Sequence, residues 1–122
     1  MIELRFQLRV DSETRIGPGK ISLLETVARV GSISAAAREL EMTYRRAWEL
    51  IDHMNKAFGQ PVVVGHAGST GGASLTELGT EVVRRYRLIG QLIEDAAAPH
   101  LAALDAAILA PASETGSEQS LD

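Results

Sequence analysis

Ser34-Ala35-Ala36-Ala37-Arg38-Glu39-Leu40-Glu41-Met42-Thr43-Tyr44-Arg45-Arg46-Ala47-Trp48 runs from an alanine-rich segment into a basic, aromatic one. Alanine has the highest helical propensity and lets backbones approach closely, and Ser34 is a good N-cap residue, so a short helix is expected over 34–40. Thr43 is placed to cap a second helix over 43–58, where Ala47, Leu50, Ile51, Met54 and Phe58 recur at spacings of three and four as one apolar stripe. Gly59 is its stop. At about 100° per residue, Arg45, Arg46, Glu49, Asp52, His53 and Lys56 project opposite that stripe, with Tyr44 and Trp48 on one flank. The first turn of this helix is therefore basic and aromatic.

Working outward, Ile2, Leu4, Phe6, Leu8 and Val10 alternate with polar residues, which predicts a strand over 3–10. Gly17-Pro18-Gly19 marks a turn, and Ile21, Leu24, Val27 and Ala28 at helical spacing predict a helix over 20–30 that stops at Gly31. On the other side, Pro61-Val62-Val63-Val64 and Ser74-Leu75-Thr76 read as the strands of a hairpin over 62–76 with a Gly-rich tip. From Thr76, a good cap, Leu78, Val82, Tyr86, Ile89, Ile93 and Ala96 advance by three or four, and Leu101, Leu104 and Ile108 resume after Pro99. One helix or two over 77–109, kinked or interrupted near Pro99, is expected. Beyond Ala110 the composition predicts a disordered tail over 110–122.

The fold class expected is thus mainly α with a small β-hairpin: a winged helix-turn-helix over 1–76 plus a long C-terminal dimerisation helix. In that architecture the third helix enters the DNA major groove. Thr43, Tyr44, Arg45 and Arg46 supply hydroxyl and guanidinium donors at its first turn, and arginine reads guanine bidentately or binds phosphate. The tip Gly68–Gly72, with Ser69 and Thr70, suits a phosphate backbone or a narrow groove through main-chain N–H groups. The candidate DNA-contacting residues are Ser34, Thr43, Tyr44, Arg45, Arg46, Glu49, Ser69 and Thr70. Tyr44 and Trp48 either buttress the helix against the wing or touch bases; Glu49 either accepts from a cytosine amino group or discourages wrong sites.

Composition bounds the alternatives. The chain has 122 residues, no cysteine, 4% aromatic residues and a formal net charge of −4. All 12 Lys and Arg precede Gly90, against 10 acidic side chains there, so the acidity belongs to the C-terminal part. No stretch of about 18 uninterrupted apolar residues exists, and Met1–Asp11 does not build a signal-peptide core, which points to a cytoplasmic protein without a membrane span. The glycine-rich tip lacks the Gly-Lys-Ser/Thr ending of a phosphate loop. His53, His66 and His100 are isolated singles, and no Ser, His and Asp grouping or carboxylate pair stands out, so no metal, cofactor or catalysis is expected.

Ile21-Ser22-Leu23-Leu24 through Gly31-Ser32-Ile33-Ser34-Ala35-Ala36-Ala37 resembles the helix-turn-helix of LysR-type regulators. Tyr44-Arg45-Arg46-Ala47-Trp48 with Met54-Asn55, and the wing leading into Leu75-Thr76-Glu77-Leu78-Gly79, is more closely similar to ModE-type molybdate-responsive regulators. The resemblance covers about residues 1–93. It implies a bacterial cytoplasmic transcription factor, dimeric through helices next to the winged domain, that contacts double-stranded DNA with its third helix and wing. Full-length ModE-type proteins carry C-terminal oxyanion-binding domains, for which residues 94–122 are expected to leave no room, so the resemblance is not extended to molybdate sensing; a separate sensor protein is one expected partner.

A helix over 77–109 is roughly 50 Å long and overhangs a winged domain of this size. Val82, Tyr86, Ile89, Ile93, Leu101, Leu104 and Ile108 along it are the expected homodimer interface, and two-fold pairing predicts an inverted-repeat operator. Two rival readings are a winged-helix adaptor for other proteins and a small-oxyanion binder using helix N-termini and tip amides.

Overall fold

The computed structural model describes residues 1–66 and 71–110. In chain order these form β1 (Leu8–Arg9), β2 (Arg15–Ile16), α1 (Pro18–Val30), α2 (Ile33–Glu39), α3 (Tyr44–Phe58), β3 (Val63–Gly65), β4 (Ala73–Leu75) and α4 (Glu77–Leu109). β1 pairs with β2, and β3 with β4, as two separate antiparallel hairpins. α1 packs on α2 and α2 on α3, while β4 and the start of α4 close against α1. The shared core holds Ile16, Ile21, Leu23, Leu24, Val27, Ala36, Ala47, Ile51, Met54 and Val62, all fully excluded from solvent. The small Ala36 and Ala47 at the meeting of α2 and α3 allow the close approach that the alanine run implied.

The helix ends show why the elements stop where they do. α1 closes at Gly31, left-handed at φ 75°, whose N–H donates to the Val27 carbonyl at 2.8 Å. Only Ser32 then separates α1 from α2. Its backbone is extended, and its Oγ accepts from the Ala35 N–H at 3.0 Å, so Ser32 caps α2 where Ser34 was expected to. The helix begins early because Ile33 is buried in the core and brings its own turn inward. Thr43 caps α3 as expected, its Oγ1 accepting from the Arg46 N–H at 3.0 Å.

The N-terminal segment departs further from the expected strand over 3–10. Asp11 Oδ1 accepts from the N–H groups of Glu13 and Thr14 at 2.8 and 2.7 Å, turning the chain back so that Arg15–Ile16 pair with Leu8–Arg9. Residues before Leu8 instead run along α4. Phe6 stacks on Tyr86 with ring centroids 4.3 Å apart, the Tyr86 hydroxyl donates to the Phe6 carbonyl at 2.8 Å, and the Ile2 N–H donates to Asp105 Oδ1. Tyr86, expected in the dimer interface, is thus 3% exposed and belongs to the chain's own core.

Of the two alternatives expected at Pro99, α4 is one unbroken helix rather than two. Pro99 is exposed, so the carbonyl deprived of a partner by the missing N–H is left to water. At its start Thr76 Oγ1 accepts from the Gly79 N–H at 3.0 Å and donates to the Pro61 carbonyl at 2.8 Å, fixing the helix to the base of the wing. The expected disordered tail, apart from Ala110, lies outside the described residues.

Candidate nucleic-acid interface

α3 buries Ala47, Ile51 and Met54 and turns its opposite face outward. The cap at Thr43 consumes one lone pair of that hydroxyl and leaves its proton for another acceptor. Arg45 follows with 89% of its side chain exposed, Nε lying 3.5 Å from Glu49; Arg46 Nη1 lies 3.8 Å from the same carboxylate. Glu49 therefore sits between the two guanidiniums and holds both over the outer face. At these lengths and exposures the pairs are weak, and a phosphate or a guanine edge displaces them at little cost.

Tyr44 and Trp48, one turn apart, form the flank of α3 that meets the wing. The indole Nε1 donates to the Tyr44 hydroxyl at 2.7 Å, and both rings remain about half exposed, at 53% and 42%. They line an open cleft with Ile33 and Ser34 on one side and Val63, Gly65, His66 and Gly71–Ala73 on the other. The tyrosine hydroxyl, engaged as an acceptor, keeps its own proton to donate. Ser34 is exposed in the first turn of α2, where its Oγ accepts from Arg38 Nη1 at 3.1 Å. Ser34, Thr43, Tyr44, Arg45, Arg46 and Glu49 all emerge on exposed positions of α2 and α3. Ser69 and Thr70 lie outside the described residues.

The wing is held by contacts that spacing alone does not reveal. Asn55 Oδ1, from the flank of α3, accepts from the Val62 N–H at 2.8 Å, and the Ala73 N–H donates to the Gly31 carbonyl at 2.8 Å. Across the hairpin Val64 faces Ser74, and just beyond them His66 Nε2 lies 2.9 Å from Ser74 Oγ. Gly79 admits the wing base: a Cβ there would lie 2.2 Å from the Val62 carbonyl oxygen. The only prior signal for Asn55 and Gly79 was their place in the motifs shared with regulators of the ModE type.

Among the described residues no group of three His, Asp or Glu is placed to hold a metal, and no helix is long and apolar enough to cross a membrane. Of the expected interface residues on α4, Val82 packs against the core, Ile89, Ile93 and Leu101 are half-buried, and Leu104 and Ile108 are 51% and 67% exposed. The structure adds Leu88 and Leu92, at 46% and 69%, to the exposed apolar surface.

Residues 19–80 match the family described as bacterial regulatory helix-turn-helix protein, lysR family. The match leaves the β1–β2 hairpin outside it. The chain is 38% identical over 95 residues to the molybdenum transport protein ModE of Azotobacter vinelandii, covering 73% of this chain and 35% of that protein. It is 37% identical over 99 residues to the molybdenum-pterin-binding protein MopA of Rhodobacter capsulatus, covering 80% of this chain and 36% of that protein. The chain thus spans about a third of the length of these relatives. Its fold resembles the crystal structure of the CbnR_DBD-DNA complex, with a TM-score of 0.55 and 21% identity over 70% of this chain and 95% of that one. Helix order, caps, wing and matched segment together place the chain in the lysR family of bacterial regulatory helix-turn-helix proteins.

Proposed function

We propose that this domain binds double-stranded DNA as a homodimer and regulates transcription, with α3 in the major groove and the wing against the neighbouring backbone. The observation that carries the reading is the outer face of α3: two arginines aligned by one carboxylate, beside a hydrogen-bonded Tyr44–Trp48 pair, on a helix tied to its wing through Asn55. Phosphate contacts from Arg45, Arg46 and the wing supply most of the affinity, and Thr43, Tyr44 and one arginine read base edges. Exposed Leu104 and Ile108 near the end of α4 favour pairing with a second copy, which would present two α3 helices to an inverted repeat.

The test is fluorescence-anisotropy binding to genomic DNA fragments at two salt concentrations, with the bound fragments sequenced. Enrichment of an inverted repeat with steep salt dependence supports the reading; an adaptor for other proteins would give neither. Arg45→Ala and Arg46→Ala are each expected to weaken binding by about 1–3 kcal/mol where a bidentate contact is lost. Unchanged affinity in both variants would remove α3 from the mechanism.

A further inference from the structure

Among the described residues, Arg29, Arg45, Arg46, Lys56, Arg84, Arg85 and Arg87 each lie within 4.0 Å of a carboxylate. Arg5, Arg9, Arg15, Lys20 and Arg38 are in no such pair, and of these Arg9, Arg15 and Lys20 stand together. Arg9 and Arg15 are direct cross-strand partners in the β1–β2 hairpin, both exposed on its outer face, while Ile16 turns into the core. Like charges facing each other across a pair of strands destabilise it, so this hairpin gains from an anion on that face. Lys20 Nζ donates to the Arg15 carbonyl at 2.8 Å, which holds a third positive charge at the same strand. Partial burial lowers the Lys20 pKa, and the neighbouring Arg46 guanidinium lowers it further against the opposing pull of Asp11. Asp11 and Glu13 occupy the hairpin tip, so the cationic surface is the strand face; the Asp11 carboxylate is already occupied by the Glu13 and Thr14 N–H groups.

The hairpin lies on a particular side of α3. Tyr44 and Trp48 face the wing, whereas His53, Lys56 and Ala57 line a cleft with residues Asp11 to Thr14. At about 100° per residue, the centre of His53, Lys56 and Ala57 is about 150° around α3 from that of Tyr44 and Trp48. A helix seated in a major groove about 12 Å wide has one phosphate strand along each flank, and the wing reaches only one of them.

We propose that the β1–β2 hairpin is a second phosphate-contacting element, in which Arg9, Arg15 and Lys20 grip the DNA backbone on the flank of α3 opposite the wing. This rests on the DNA-binding reading above and extends it to a part of the chain outside the matched family segment.

The experiment compares the full chain with its Arg9→Gln/Arg15→Gln/Lys20→Gln variant on the same duplex, by anisotropy from about 50 to 200 mM salt. The slope of log K against log salt should fall by about two to three, at about 0.9 per phosphate contact, with affinity about tenfold or more lower. Arg9→Lys/Arg15→Lys should keep the slope. Arg5→Gln, which removes the same charge beside Tyr86, should leave it unchanged. If thermal melting shows that the triple variant unfolds the hairpin, Arg9→Gln and Lys20→Gln carry the test singly, each lowering the slope by about one. A folded triple variant with wild-type affinity and slope overturns the hairpin contact and leaves the DNA reading standing, as does an equal loss in Arg5→Gln. A wild-type chain that binds no duplex even at low salt overturns the DNA reading itself.

Discussion

Up to Tyr86 the chain buries an apolar core and carries 11 of its 12 Lys and Arg; past Arg87, the twelfth, no described residue is buried and no basic residue occurs. The two regions share one continuous helix, α4, yet differ in what holds them. The first is fixed by tertiary contacts: Ile51 and Met54 in the core, Asn55 on the wing, Gly79 against Val62. The second holds its backbone by bonds local to the helix and leaves Leu92, Leu104, Ile108 and Leu109 between half and four-fifths exposed. A helix of this length needs little packing to close its own hydrogen bonds, so its apolar side chains are free for contact with another molecule. The difference separates residues that make the fold from residues available for assembly.

The largest effect expected is within the first region. Ile51→Ala removes a fully buried side chain and should cost about 2–5 kcal/mol of unfolding free energy, read by urea denaturation. A cost below about 1 kcal/mol would mean that the core is looser than its burial implies. Gly79→Ala sharpens the boundary between the regions. Helix propensity alone would favour alanine by about 1 kcal/mol, but a Cβ 2.2 Å from the Val62 carbonyl must push α4 from the wing, for a net loss of about 1–3 kcal/mol. A stabilised variant would show that α4 and the wing base are not in firm contact.

Leu104→Ser/Ile108→Ser tests the other side of the comparison. Since both residues are largely exposed, the intrinsic stability of the winged domain should change by less than about 0.5 kcal/mol, while self-association measured by analytical ultracentrifugation weakens. Unfolding of the winged domain, or unaltered association, would break the division drawn here.

The smallest effect concerns the ion pair that joins α1 to α4. Arg87 Nε donates to Glu25 Oε2 at 2.7 Å, and that bond holds the Glu25 carboxyl below its ordinary value of 4.5. Because the folded pKa lies below the unfolded one, the contribution is present in full above about 4.5 and fades as pH falls through the folded value. Both side chains are more than a third exposed, so it amounts to less than about 1 kcal/mol. Glu25→Gln should flatten that part of the acid limb in thermal melts; an unchanged limb would assign acid sensitivity elsewhere.

Legibility in the sequence followed the range of the interactions. The α3 stripe and its cap at Thr43 were readable because they depend on neighbours three and four residues away. Ser34 and Ser32 are both good cap residues, and the choice fell to Ser32 because Ile33 is drawn into the core. The Leu-and-Val alternation of the N-terminus was visible, but its pairing was not: the turn depends on Asp11, and Phe6 leaves the strand to stack on a tyrosine 80 residues away.

Local periodicity and hydrogen bonding suffice for α1 and α3, for the caps and stops at Thr43, Gly31, Gly59 and Thr76, and for the basic aromatic first turn of α3. Tertiary structure decided the rest. It took Tyr86 for the core, tied the wing to α3 through Asn55, and set the tip of the β1–β2 hairpin against the later turns of α3. Each of these depends on groups brought together from distant parts of the chain, which no local pattern encodes.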